Sequence, residues 1–183
     1  MSRLKAWTVT DRQKVADGLV FEMQREVSQS PYDGSVHDFY VLDSPDWVNV
    51  VPLTDDRRVV MVRQWRHGSK GFSLEVPGGL VDHGLDPLAA AQGELVEETG
   101  HQAAAWDLLG RVNPNPALFP NRLSTYLATG LTLVRDIVVT PTERTEVELV
   151  PLVEVPGLIK RGVIDHALVI CAFALLFVEQ GLP

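Results

Sequence analysis

The chain reads as an α/β fold: a mixed β-sheet with helices on its faces, preceded by a strand-rich N-terminal extension. Three observations predict it. The opening third alternates apolar and polar residues with the period of strands. A stretch rich in alanine, leucine and glutamate, opened by Asp86-Pro87 and closed by Gly100, has the punctuation of one helix between strand patterns. Near the C-terminus the uncharged run "ALVICAFALLFV" is too short to span a bilayer and suits a buried helix. Strands and helices in this order pack most economically as a sheet covered by helices.

Taken in order, "LVFEMQREVSQ" from Leu19 and "HDFYVLDS" from His37 are strand patterns separated by the turn signal "SPYDGS". No helical pattern accompanies them, so residues 1–45 read as a separate extension and 46–183 as the main domain. "DWVNVVPLT" and "RRVVMVRQWRHG" follow as strands, the second with a β-branched centre. Asp86 can cap free helix amides, and Pro87 at the first helical position loses no hydrogen bond. The helix then runs to Thr99, where Gly100 is a natural left-handed terminator. "STYLATGLTLV" and "EVELVPLVEV" supply strands on either side of the loop "VRDIVVTPTERT". "VPGLIKRG" reads as a short helix and "DHALVICAFALLFVEQ" as a longer, buried one.

Bulk properties narrow the function classes. With 183 residues, 45% hydrophobic and 22% charged, the chain has the composition of a folded globular domain. A formal net charge of −8 argues against broad electrostatic binding to nucleic acid or anionic membrane. An anionic ligand must therefore be held by local arginines or by a metal ion. The lone Cys171 cannot form an internal disulfide and reads as an inert core thiol. "MSRLKAWTVTDRQK" contains no apolar segment of the secretory type, so cytoplasm is the expected compartment. The serine-hydrolase elbow, the zinc-protease helix motif and the phosphate-binding P-loop are absent from the sequence.

The stretch "PGGLVDHGLDPLAAAQGELVEETGHQ" carries the chemistry. Glu94 and Glu98 stand one helical turn apart on the same face, with Glu97 beside them. Like charges at these spacings destabilise a helix by a few tenths of a kcal/mol per pair. The C-terminal end of the macrodipole adds to that cost. A run of acids is ordinarily a solvated face, but these follow a Gly-Gly turn, which brings backbone close. A hard divalent cation such as Mg²⁺ or Mn²⁺ relieves both penalties, taking oxygen ligands from carboxylates, water and substrate phosphate. The residues alone thus suggest a metal-dependent site for a phosphorylated ligand.

"GGLVDHGLDPLAAAQGELVEETGH" resembles the box of the Nudix hydrolases, G-x5-E-x7-R-E-U-x-E-E-x-G-U, where U is aliphatic. Gly79 takes its first glycine, and Glu94, Leu95, Glu97, Glu98 and Gly100 match the second half in register. Further stretches, "VVMVRQWRHG", "SLEVPGGLVD", "NPNPALFPNRLSTYLATGL" and "TPTERTEVELVPL", are similar to the ADP-ribose and nucleoside-diphosphate-sugar pyrophosphatase branch. Two box positions differ: the first Glu falls on Leu85 and the Arg on Gly93, with His101 at the terminal aliphatic position. The two losses are coherent, since either charge alone would lack its partner. Gly93 costs the helix about 1 kcal/mol relative to alanine.

The resemblance implies a Nudix-type α/β/α sandwich with a mixed sheet. It also implies Mg²⁺- or Mn²⁺-dependent hydrolysis of ADP-ribose or a related nucleotide sugar to a nucleoside monophosphate and a sugar phosphate. Glu94 and Glu98 would be the principal metal ligands, with Glu97 on a further ion or a bound water and the carbonyl of Gly78 as a backbone ligand. Glu143, in the loop "TPTERTEVELV", matches the glutamate proposed as general base in relatives, and Glu146 opens the following strand. Arg66 would grip phosphate, Glu75 would reach the metal or a ribose hydroxyl, and Trp47 would stack on the base. A homodimer that exchanges N-terminal strands is implied as well. The alternatives are a nucleotide-sugar-binding protein with weak or no turnover, and a pyrophosphohydrolase of another nucleotide.

Overall fold

A computed structural model of the chain describes residues 3–138 and 144–181. Its contacts divide the chain into two units. Residues 1–45 and 113–122 form the first; 46–112 and 123–183 form the second. The 113–122 segment was not anticipated in the first unit. It joins through the Leu42 N–H to the Leu118 carbonyl at 2.8 Å and the Asn121 side-chain amide to the Pro45 carbonyl at 2.8 Å.

In the first unit, β1 (Thr8–Asp17), β2 (Glu22–Gln29) and β3 (Val36–Asp43) make an antiparallel sheet in that order. β1 escapes the sequence reading because every one of its residues is exposed, so no apolar face marks it. Trp7 packs edge-on against Phe39 and His37, with ring centroids 5.3 and 5.7 Å apart.

Among its described residues the second unit holds two sheets and three α-helices. One sheet runs β10 (Thr145–Pro151), β5 (Arg58–Arg66), β6 (Gly71–Glu75), all antiparallel. The other runs β7 (Gly78–Leu80), β4 (Trp47–Pro52), β9 (Leu123–Leu133), β8 (His101–Val112). It is mixed, because β4 and β9 are parallel while the remaining pairs are antiparallel. β10 stops at Pro151, earlier than the expected strand through Val155. A single 3₁₀ turn at Leu152–Glu154 leads there into α2 (Val155–Lys160).

α1 (Pro87–Thr99) and α3 (Ala167–Glu179) define the faces. α1 buries Ala90, Ala91 and Leu95 against Val48, Val50, Val81, Tyr126 and Ala128. α3 buries Val169, Ala172, Phe173 and Leu176 in the larger cluster with Val51, Met61, Leu74 and Ile164. Strand alternation sends Val48 and Val50 of β4 to one side and Val51 to the other, so one strand seeds both cores. α3 is not buried all round, as its apolar sequence suggested: Val178 is 78% exposed and Ala174 also faces out. Asp86 sits at the expected N-cap with an extended backbone, but its side chain makes no capping bond. Pro87 and the backbone bond from Ala90 N–H to the Asp86 carbonyl (3.0 Å) set the helix start. Among the described residues no helix is long and apolar enough to cross a membrane.

Candidate active site

The acidic end of α1 lies against the Pro-Gly-Gly strand, and the two glycines explain how. Successive residues of β7 face opposite sides. A Cβ on Gly79 would stand 2.1 Å from Oε1 of Glu94. On Gly78 it would stand 2.3 Å from the Val48 carbonyl oxygen and 2.7 Å from Oδ1 of Asn49. Both faces are thus occupied, one by the movable end of the Glu94 side chain and one by the backbone of the neighbouring strand. A side chain at Gly79 would displace the Glu94 carboxylate, and one at Gly78 would meet backbone. The Gly78 N–H donates to Oε2 of Glu98 at 3.0 Å. Glu94 and Glu98, the i and i+4 acids, are therefore seated on consecutive glycines.

Burial pushes the Glu98 carboxyl up to about 8. The Glu94 and Glu75 carboxylates add to the rise, while the Gly78 N–H and Arg66 oppose it. Glu75, at the end of β6, is only 3% exposed. Arg66, ending β5, clamps it bidentately, with Nε to Oε1 and Nη2 to Oε2 both at 2.7 Å. Burial opposes the Glu75 charge, yet Arg66 above all, with His166 and Ser73, holds its carboxyl below the ordinary carboxylate range. Two acids of one site are thus driven in opposite directions: Glu75 is paired bidentately with the Arg66 guanidinium, whose charge only partly offsets the burial of Glu98.

The helix end is fixed by backbone. Gly100 adopts φ 74°, and a Cβ there would stand 2.1 Å from the Arg135 carbonyl oxygen, so only glycine fits. The Glu97 carbonyl accepts the Val138 N–H at 2.9 Å, and the Glu98 carbonyl accepts the Thr145 hydroxyl at 3.2 Å. The Glu97 side chain is exposed, as is Glu146, the second residue of β10. Glu143 lies outside the described residues. Trp47 opens β4, half-buried, paired with Leu80 of β7 and Leu123 of β9. Glu94, Glu98, Gly78, Glu75 and Arg66 are brought into one neighbourhood. Glu97 and Glu146 face outward.

The two box positions that differ both look onto open space. Leu85 is 44% exposed, and a Cβ on Gly93 would meet nothing within 4 Å. The residue that sequence reasoning passed over is Asn49, whose amide lies against Gly78. Its only signal was a polar residue inside the apolar strand "WVNVVP".

The donor chemistry suits a small, hard divalent ion. Two carboxylates with all-oxygen donors converge, and one is held near 8 by burial and by neighbouring negative charge, a deficit that a cation relieves. Among the described residues no group of three His, Cys, Asp or Glu side chains is gathered tightly enough to hold an ion unaided. A two-carboxylate anchor completed by water and substrate phosphate is the mode such ions commonly use.

Comparison with known proteins agrees with this geometry. The NUDIX domain profile matches residues 44–173. The chain is 28% identical over 119 residues to the methanol dehydrogenase activator of Bacillus methanolicus, covering 65% of this chain and 64% of that one. It is 33% identical over 115 residues to the ADP-ribose pyrophosphatase of Mycobacterium tuberculosis, covering 62% and 55%. Less than two thirds of the length of either relative is thus matched. The crystal structure of an ADP compounds hydrolase superposes with a TM-score of 0.85 over 99% of both chains at 22% identity, which establishes the shared fold. The match of the family profile over most of the chain, with its acidic helix seated on the Gly-Gly strand, makes this protein a member of the NUDIX family.

Proposed function

We propose that the chain hydrolyses the diphosphate bond of ADP-ribose or a related nucleoside diphosphate sugar, releasing a nucleoside monophosphate and a sugar phosphate. The observation that carries this reading is the clamping of Glu98 and Glu94 of one helical turn onto Gly78 and Gly79. The name of the mycobacterial relative supports the substrate class.

Glu94 and Glu98 would hold a divalent ion, Mg²⁺ or Mn²⁺, joined by the Gly78 carbonyl. When bound, such an ion neutralises the diphosphate and lowers the pKa of an attacking water. Gly78 keeps the Glu98 carboxylate aimed through its N–H. Arg66 orients Glu75 through two parallel bonds, and the pair addresses phosphate and ribose hydroxyls. Trp47, on the strand beside the Gly-Gly turn, stacks on the base. Glu143 takes the proton of the attacking water, with Glu97 and Glu146 as the other candidate acids. A homodimer is the proposed assembly, supported by exposed Val9 and Phe39, which share one face of the β1–β3 sheet.

Release of AMP from ADP-ribose with Mg²⁺ or Mn²⁺ tests the reading, within a panel of nucleoside diphosphate sugars. Wild-type protein turns over at least one of them, and Glu98→Gln loses at least a hundredfold. Absence of metal-dependent turnover on the whole panel overturns it in favour of a nucleotide-sugar-binding protein.

A further inference from the structure

Asn49 is a polar residue in a strand whose neighbours Val48, Val50 and Val51 are fully buried. By alternation it shares the α3-facing side of β4 with Val51. Asn49 itself is half-buried, and its carboxamide is held by a hydrogen bond to the neighbouring helix. Its Nδ2 donates to the Leu168 carbonyl, in the first turn of α3, at 3.1 Å. Its Oδ1 lies where it would be 2.7 Å from any Cβ on Gly78, the residue paired with Asn49 across β4 and β7. Gly78 in turn donates its N–H to Glu98. The Asn49 side chain therefore stands between α3, which it bonds, and the side of Gly78 where a Cβ would lie, while the Gly78 N–H serves the Glu98 carboxylate.

We propose that Asn49 is a positioning residue of this site. Its carboxamide braces the Gly78 backbone from the face opposite the acids, with α3 as the abutment, and so sets the N–H that aims Glu98. Two features make the brace specific. The strand is short, Gly78–Leu80, and its pairing with β4 is extended by one backbone bond at each end, Val50 N–H to the Pro77 carbonyl and Val81 N–H to the Asp46 carbonyl, both 2.8 Å. Backbone thus fixes its register and leaves the Asn49 side of Gly78 to the carboxamide. Gly78 and Gly79 also lack side chains that would pin the ribbon by packing. Asn49 touches neither substrate nor reacting atoms in this scheme.

Its consequence for catalysis rests on the function proposed above, but the brace itself can be read without turnover. Amide hydrogen exchange is measured in metal-free wild type, Asn49→Ala and Asn49→Thr. The threonine variant keeps a β-branched strand former and guards against a misfolded alanine variant. Exchange at the Gly78 amide accelerates at least tenfold in both, while Met61 and Val62 of β5 stay within threefold of wild type. Apparent affinity for Mn²⁺, read by calorimetry, weakens about tenfold in the same variants. An unchanged Gly78 amide, or equal acceleration at Gly78, Met61 and Val62, overturns the proposal. If wild type shows no diphosphate turnover but Gly78 exchange responds as expected, the function fails and the positioning role stands.

Discussion

Replacing Glu98 with glutamine tests the electrostatics of the site independently of activity. In the metal-free protein the Glu98 carboxyl is raised from 4.5 to about 8, chiefly by burial. Between those values the folded state binds a proton that the unfolded chain has released, so stability falls as pH rises through this window. Below about 4.5 both states are protonated and nothing is lost; above about 8 the full penalty applies. At about 1.4 kcal/mol for each tenfold change in the ionisation constant, that penalty is on the order of 3–5 kcal/mol. Glutamine keeps an oxygen for the Gly78 N–H and carries no charge, so it abolishes the term. Urea denaturation of both proteins in EDTA at pH 5, 7 and 9 should show them nearly equal at pH 5. Glu98→Gln should be the more stable by several kcal/mol at pH 9, roughly 10 °C in Tm for a chain of this size. Saturating Mg²⁺ should narrow the gap at pH 9, by about 2.7 kcal/mol at about a hundredfold excess over the dissociation constant, because the wild type gains the linked binding energy. A stability difference that is flat from pH 5 to pH 9 would refute the reasoning.

The two glycines should fail in different ways. Gly79→Ala places a Cβ 2.1 Å from Oε1 of Glu94, the mobile end of a side chain. It should therefore fold with a Tm within a few degrees of wild type and lose at least a hundredfold in turnover. Gly78→Ala meets the Val48 carbonyl at 2.3 Å. Backbone cannot step aside so cheaply, and denaturation should show a loss of about 1–3 kcal/mol. Gly93→Ala should stabilise by about 0.5–1 kcal/mol, because its Cβ meets nothing within 4 Å and the helix gains propensity. A loss of stability in that variant would show that Gly93 serves a backbone need the structure does not reveal.

The elements read correctly in advance share one property: their signals are local. Asp86-Pro87 and Gly100 bound α1 at Pro87–Thr99 because a missing N–H and a left-handed residue act within one turn. The apolar run of α3 and the β-branched centre of β5 are likewise self-contained. β8 was passed over because "HQAAAW" is rich in alanine and offers no alternation; its pairing with β9 from His101 to Val112 makes it a strand. The pattern "EVELVPLVEV" ran through Val155 without contrast, and the chain turned helical after Pro151 because Leu152 and Val155 are drawn into the α3-side core.

By itself the sequence determined that Glu94 and Glu98 share a helical face, that a glycine pair precedes them, and that the family box is present with Leu85 and Gly93 in place of its Glu and Arg. Those are consequences of spacing along one short segment. Tertiary structure alone decided which acid has a cation. Arg66 reaches Glu75 because the β5–β6 register sets Val62 opposite Glu75 and Arg66 opposite Gly71, aligning both side chains on one face. Glu98 instead receives the Gly78 N–H, supplied by a strand beside Asn49, which α3 holds through its Leu168 carbonyl. Charge type is written in the chain, but charge state follows from burial and partners, and these exist only once the sheets are paired and the helices packed on them.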